Sequence, residues 1–266
     1  MGKWFAIVVT VIAVVSVTFF VLHTWWMPVD ISTTGPALDR QMNETMVETG
    51  LLFLAGQILL AIFVWQGSDK NVARRIKIFP GGATPLIIAA IVVVGMEILA
   101  LSFVGSKVWA AINLDQAGAN ALKVDVQAEQ FAFWFRYPGP DGQFGQIHPE
   151  LIDEASGNYF GLDPRNEVAA RDDVVVGSLT IPVNTPIALT LHSKDVGHSF
   201  YVPVLRIQQD FVPGLDIPVH FTATQIGKYE IVCTQLCGLG HYEMRAFLEV
   251  MSKSDYEQWL KTQEGS

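Results

Sequence analysis

Nineteen consecutive residues without a charge, Trp4 to Leu22, constrain this chain more than any other feature. At about 1.5 Å per residue such a run crosses the hydrocarbon core of a bilayer as a helix, the only open structure that satisfies its own backbone there. Lys3 before the run resembles the start of a secretion signal. No small-x-small cleavage site follows, because Leu22-His23-Thr24-Trp25-Trp26 is bulky, so the segment is expected to be retained. The tryptophan pair suits an interfacial belt. Leu51 to Trp65 is a second apolar run, of spanning length once Val47, Thr49 and Gly50 are included, and Pro85 to Val104 is a third, broken only by Glu97. Between them, Lys70, Arg74, Arg75 and Lys77 make a basic segment, whereas 29–48 is polar, turn-rich and mostly acidic. Basic loops stay in the cytoplasm. The expected organisation is therefore a first span over 1–28, an outer loop over 29–48 and a second span over 49–66. A cytoplasmic loop over 67–84 and a third span over 85–108 follow. An outer domain over 109–251 and a terminal helix and tail over 252–266 complete the chain.

Glu97 is an ionisable group at membrane depth, where such groups are costly and mark function by default. It is a candidate for a proton route; a hydrogen bond to a neighbouring helix is the other reading. Composition agrees with a membrane protein, since half of the residues are hydrophobic and 16% are charged. The net charge of −9 argues against nucleic acid, which needs a basic face. It suits either plain solubility or attraction of a basic partner.

From Leu122 onward the pattern is β. Lys123-Val-Asp-Val-Gln alternates, and strands are predicted at 174–181, 187–192, 199–205, 217–224, 229–233 and 245–250. Gly139 to Asn166, rich in Gly, Pro and Asp, reads as a long surface loop. Ser254-Asp-Tyr-Glu257 predicts a capping box opening a short helix with Tyr256, Trp259 and Leu260 on its apolar side. The fold class is membrane-anchored all-β: transmembrane helices followed by a sandwich or barrel.

The two cysteines of the chain fall in Cys233-Thr-Gln-Leu-Cys237-Gly-Leu-Gly-His241-Tyr-Glu-Met244. Soft thiolate and thioether ligands select copper or iron–sulfur centres over hard cations, imidazole suits copper as well, and one Cys, two His and a weak axial Met make a mononuclear copper site. A second Cys allows two thiolates to bridge two copper ions. The further imidazole must come from elsewhere, and His198 in Asp195-Val-Gly-His198-Ser-Phe is the best candidate. Each residue also has a plainer role: a disulfide for the cysteines, core packing for Met244, a structural hydrogen bond for His198.

These words, together with Gln209-Asp210-Phe-Val-Pro213-Gly214, resemble subunit II of haem-copper oxidases over roughly the last half of the chain, from the Gln130 region to Val250. The resemblance implies a Greek-key cupredoxin sandwich holding a binuclear copper (CuA) centre. One copper would take His198 and Met244, the other His241 and the backbone carbonyl of Gln235, with both sharing Cys233 and Cys237. It implies electrons received from cytochrome c or a similar donor and passed to a haem-containing catalytic subunit that reduces O₂. It also implies an integral protein of a bacterial inner membrane with the copper domain on the periplasmic face. This chain would carry electrons and no catalytic residue of its own.

The sequence departs from the family in several places. Gln235 stands where Glu supports a magnesium site, so magnesium is not expected. Phe131 stands where the family has the donor-facing Trp, leaving Phe131, Phe133 and Trp134 as candidates for the electron inlet. Leu215 replaces an Arg, for which Arg206 or Arg245 could compensate. Two membrane helices are usual in the family, and here there are three. A copper-bearing subunit of a nitric oxide reductase is the alternative within the superfamily. A quinol oxidase subunit, which lacks the copper ligands, and a membrane-anchored copper storage or delivery protein are more distant ones.

Overall fold

The computed structural model describes residues 2–22, 27–68, 84–114 and 117–263. The basic segment from Lys70 to Lys77 and the tryptophan pair Trp25-Trp26 lie outside the described residues. Two compact units are present, one built from the apolar helices and one from Val29–Pro36 together with Ala111 onward.

Helices α1 (Gly2–Leu22), α2 (Gly35–Gly67) and α3 (Thr84–Asn113) are all long and apolar enough to cross a membrane. They bury almost nothing of their own, as expected where lipid is the solvent. The second helix begins far earlier than the apolar run. Thr33-Thr34-Gly35-Pro36 reads as a turn in sequence but is a helix N-terminus, with Ser32 Oγ accepting from Gly35 N–H at 2.7 Å and Pro36 in the first turn. The expected outer loop 29–48 is thereby reduced to a short segment, and α3 runs on past the expected limit at 108. Glu97 lies in mid-helix, half-buried.

That short segment joins the outer domain. Ile31 is fully buried in its core, Ile31 N–H donates to Val204 C=O at 2.9 Å, and Thr224 N–H donates to Ile31 C=O at 2.7 Å.

The domain is a sandwich of two five-stranded sheets. The first has the order β3 (Val174–Val176), β2 (Ala132–Tyr137), β1 (Leu122–Glu129), β5 (Pro186–Ser193), β8 (Ile217–Thr222). The second has the order β4 (Leu179–Pro182), β10 (Arg245–Met251), β9 (Gly227–Val232), β6 (His198–Val202), β7 (Ile207–Phe211). Strands β1–β5 and β4–β10 pair in parallel and the other pairs are antiparallel. Alternate residues Val124, Val126 and Ala128 meet Phe200, Phe211, Ile231 and Leu248 in one apolar core.

The single strand expected at 174–181 is two strands in different sheets, broken at Gly177-Ser178, and Tyr137 Oη ties the sheets there by donating to Thr180 C=O at 2.9 Å. The strand expected at 199–205 stops at Val202, because Pro203 opens a 3-10 turn. Strand β1 is buried on both faces: the long loop after β2 folds over its polar side. There Arg136 binds Asp125, donates to Gly145 C=O at 2.8 Å and lies against Phe144 and Phe160. Helix α4 (Lys253–Gln263) is capped by Ser252, not Ser254: Ser252 Oγ accepts from Asp255 N–H at 3.1 Å. Tyr256 is buried, and Trp259 packs edge-on to Tyr137.

Candidate metal centre

Three adjacent strands of the second sheet deliver the candidate ligands to one end of the sandwich. His198 begins β6, Cys233 follows the last residue of β9, and Met244 immediately precedes β10. The ladder continues past the named strands, with Cys233 N–H donating to Met244 C=O at 3.2 Å. Between Cys233 and Met244 the chain makes a tight loop. Gly238 has φ +139°, a conformation side chains rarely adopt, and a 3-10 turn over His241–Glu243 presents the imidazole.

The loop gathers the sulfurs and nitrogens. A ring nitrogen of His198 and both cysteine sulfurs lie within 4.8 Å of one another. The sulfurs are 3.8 Å apart, far beyond a disulfide bond, and both thiols are free. Cys237 Sγ is 3.5 Å from His241 Nδ1 and 3.7 Å from Met244 Sδ. The Cys233 thiol donates to the Gln235 backbone carbonyl at 3.2 Å, placing that oxygen beside the cluster while the Gln235 side chain is exposed. His198 is fully buried; its Nε2 donates to Asp195 Oδ1 at 2.7 Å, and its Nδ1 has no hydrogen-bond partner. A buried nitrogen without a partner is costly unless something else satisfies it. Two soft thiols, a thioether and two imidazoles around that lone pair fit copper.

Burial, and then the neighbouring Cys233, push the Cys237 thiol up to about 11, so a metal arriving here displaces a proton. Burial raises Asp195 too, but the hydrogen bonds from His198, Gln130 and Val196 outweigh it and hold the carboxyl below its usual value.

The inlet candidates separate clearly. Phe131 is 40% exposed, and its ring lies against the ligand loop so closely that a Cβ on Gly240 would fall 2.5 Å from its Cδ2. Phe133 is a core residue packed on Phe211 at 5.8 Å, which removes it as a surface inlet. Trp134, on the other face of β2, stacks on Tyr159 at 3.5 Å and donates to Glu129 at 2.7 Å, away from the cluster's side of the sheet. Arg206 immediately precedes β7, at the end opposite Phe211, the partner of His198, so it stands at the wrong end to compensate for Leu215. Arg245, next to Met244, is at the right one. The roles of Gln130 and Asp195 were not read from the sequence. An Asp three residues before a candidate ligand His was the available signal, since ligating imidazoles commonly donate to a carboxylate.

The family profile for the periplasmic domain of cytochrome c oxidase subunit II matches residues 165–251. Over 260 residues the chain is 32% identical to the alternative cytochrome c oxidase subunit 2 of Bradyrhizobium diazoefficiens, covering 97% of this chain and 91% of that one. It is 41% identical to cytochrome c oxidase subunit 2 of Thermostichus vulcanus over 55% of this chain and 35% of the relative. Among solved structures, the periplasmic domain of subunit II of cytochrome oxidase from Bradyrhizobium japonicum overlaps with a TM-score of 0.41 at 21% identity. That overlap covers 57% of this chain and 96% of that one.

Proposed function

The chain belongs to the cytochrome c oxidase subunit 2 family, and from that premise we propose that it is the subunit through which electrons enter a haem-copper oxidase. It is a membrane-anchored subunit of an oxidase complex, with its sandwich domain on the periplasmic side. The proposal names the parts: cytochrome c, or a donor like it, delivers electrons at the face carrying Phe131. His198, Cys233, Cys237, His241, Met244 and the Gln235 carbonyl would hold two copper ions there, and the pair would supply the one-electron acceptor. A haem-containing catalytic subunit in a bacterial inner membrane takes the electrons on to O₂.

One observation carries the reading: two free, buried thiols 3.8 Å apart sit beside an unpartnered imidazole nitrogen, with a second imidazole and a thioether against the same sulfur. Copper bound there supplies reversible one-electron chemistry. The protein's share is to hold soft donors on the ends of three hydrogen-bonded strands, where little has to move when charge changes, and to keep water from them by burial. Phe131 contributes a partly exposed ring in contact with the glycines beside Cys237 and His241, a short route from surface to sulfur. Glu97, at mid-membrane, is proposed to serve a proton route in the complex; Glu97→Gln then slows turnover and leaves the copper spectrum intact, and unchanged turnover removes it.

The test is metal content and electron paramagnetic resonance of the purified full-length protein, followed by gas consumption by the intact complex. Two coppers per chain with one shared unpaired electron, and O₂ uptake, support the reading. A single copper, or a Cys233–Cys237 disulfide in the active complex, refutes the centre, and consumption of NO in place of O₂ refutes the reaction.

A further inference from the structure

We propose that Asp195 and Gln130 are positioning residues that hold the two halves of the metal centre at a fixed separation, a proposal that rests on the copper reading above. The two halves come from distant parts of the chain: the His198 turn enters β6, and the Cys237 loop leaves β9. What spans them is the tight turn joining β1 to β2 in the opposite sheet. Gln130 N–H donates to Asp195 Oδ2 at 2.7 Å, and Gln130 Nε2 donates to the Cys237 carbonyl at 2.5 Å. One residue thus grips the carboxylate that orients His198 and the backbone that carries the second sulfur.

The carboxylate has little freedom to rotate. Its Oδ1 accepts from His198 Nε2 at 2.7 Å and from Val196 N–H at 2.6 Å, while Gln130 takes Oδ2. A carboxylate facing Nε2 keeps the proton on that nitrogen and leaves Nδ1 its lone pair, and Nδ1 is the buried atom without a partner. The turn carrying Asp195 is itself fastened to β1. Lys194 N–H donates to Ala128 C=O at 3.0 Å, and Lys194 Nζ donates to Glu129 at 2.5 Å. Both ligand loops are therefore measured off the end of a single strand in the other sheet. Phe131, the next residue, packs on Gly238 and Gly240, so the turn that sets the centre also presents its surface ring.

The experiment uses the full-length chain in detergent with three variants: Asp195→Ala, Asp195→Asn and Gln130→Met. In metal-free wild type labelled with ¹⁵N-histidine, His198 shows a protonated Nε2 whose hydrogen exchanges slowly with water. Asp195→Ala loses that signal, and Gln130→Met keeps it. In the copper-loaded forms, removal of metal by a chelator speeds up by about 10–100-fold in Asp195→Ala. Asp195→Asn, which retains an acceptor for Nε2, falls between Asp195→Ala and wild type. Gln130→Met accelerates release by about tenfold and changes the copper hyperfine pattern. Wild-type release and wild-type spectra in both Asp195→Ala and Gln130→Met overturn the inference and leave the copper reading standing. A wild-type protein that takes up no copper overturns both. Should Asp195→Ala not fold, Gln130→Met decides alone, because its side chain keeps the length and packing of the original.

Discussion

Two glycines in the loop from Cys237 to His241 allow a sharp test of how the surface ring and the candidate copper ligands are coupled. At Gly240 an added Cβ would meet Phe131 Cδ2 at 2.5 Å, Cγ at 2.7 Å and Cε2 at 2.9 Å. Ordinary carbon contacts lie near 3.5–4.0 Å, so ring and loop must part by roughly 1 Å. Phe131 is 40% exposed and can swing toward solvent, whereas the loop is pinned by Gln130 and by the turn hydrogen bonds at His241 and Glu243. The ring should give way. Gly240→Ala is therefore expected to cost about 1 kcal/mol, the low end for overpacking, and to lower Tm by about 2–4 °C. Its copper spectrum stays as in wild type, while electron transfer from the donor slows. Gly238→Ala meets two obstacles at once, φ +139° and contacts of 2.8 Å to Gln130 Nε2 and 3.1 Å to the ring. Backbone strain of about 1–3 kcal/mol adds to the crowding, and the backbone that must yield is the one beside Cys237. That variant is expected to change the copper spectrum and to lower Tm more than Gly240→Ala does. Thermal melts, paramagnetic resonance and stopped-flow reduction of each protein settle the matter. A disturbed spectrum in Gly240→Ala, or an undisturbed one in Gly238→Ala, refutes the claim that the ring is the compliant side of this contact.

Three further outcomes follow from particular contacts. Cys233→Ser or Cys237→Ser should each abolish a binuclear spectrum, and Met244→Leu should keep copper while shifting the potential, because a thioether is a weak ligand; paramagnetic resonance and redox titration check this. Ile31→Asp should destabilise the sandwich by about 2–5 kcal/mol, since it empties an apolar site and buries a charge, and a thermal melt no lower than wild type would contradict that. Burial pushes the Asp173 carboxyl up to about 6, despite Gly145 N–H and Arg136, so the folded state holds its proton where the unfolded chain has lost it. Its contribution to stability is accordingly present below about pH 4 and lost as pH rises toward 6. Asp173→Asn should flatten that part of the curve measured by denaturant titration across pH.

The gathering of the candidate ligands was legible because Cys233, Cys237, His241 and Met244 are close in sequence, so their spacing alone suggests a single point in space. The membrane helices were legible as long runs of one solvent preference. What escaped were features in which one local signal stands for two structures. Thr33-Thr34-Gly35-Pro36 has the composition of a turn and also of a helix start, and the hydrogen bond from Gly35 to Ser32 decides between them. Val174 to Ile181 is β-prone on both sides of Gly177-Ser178, and that pair divides it between two sheets, a choice made by the pairing of β4 with β10 far along the chain. The alternation in β1 implies one wet face, but the loop that covers it contributes through Phe144, Gly145 and Phe160, residues with no periodic mark.

The same reasoning explains why the supports of the centre were harder to see than its ligands. A ligand must be a particular donor atom, so chemistry restricts it to a few residue types, whereas a support need only place a hydrogen bond. Asp195 and Gln130 become meaningful once β1 lies parallel to β5, because that pairing sets Ala128 opposite Ser193 and brings the β1–β2 turn beside the turn before β6. The sheet whose strand ends and connecting loop carry the candidate ligands is thus not sufficient to define the centre. Its geometry is closed by a turn of the opposite sheet, so whatever separates the sheets at this end should loosen copper before it unfolds the domain.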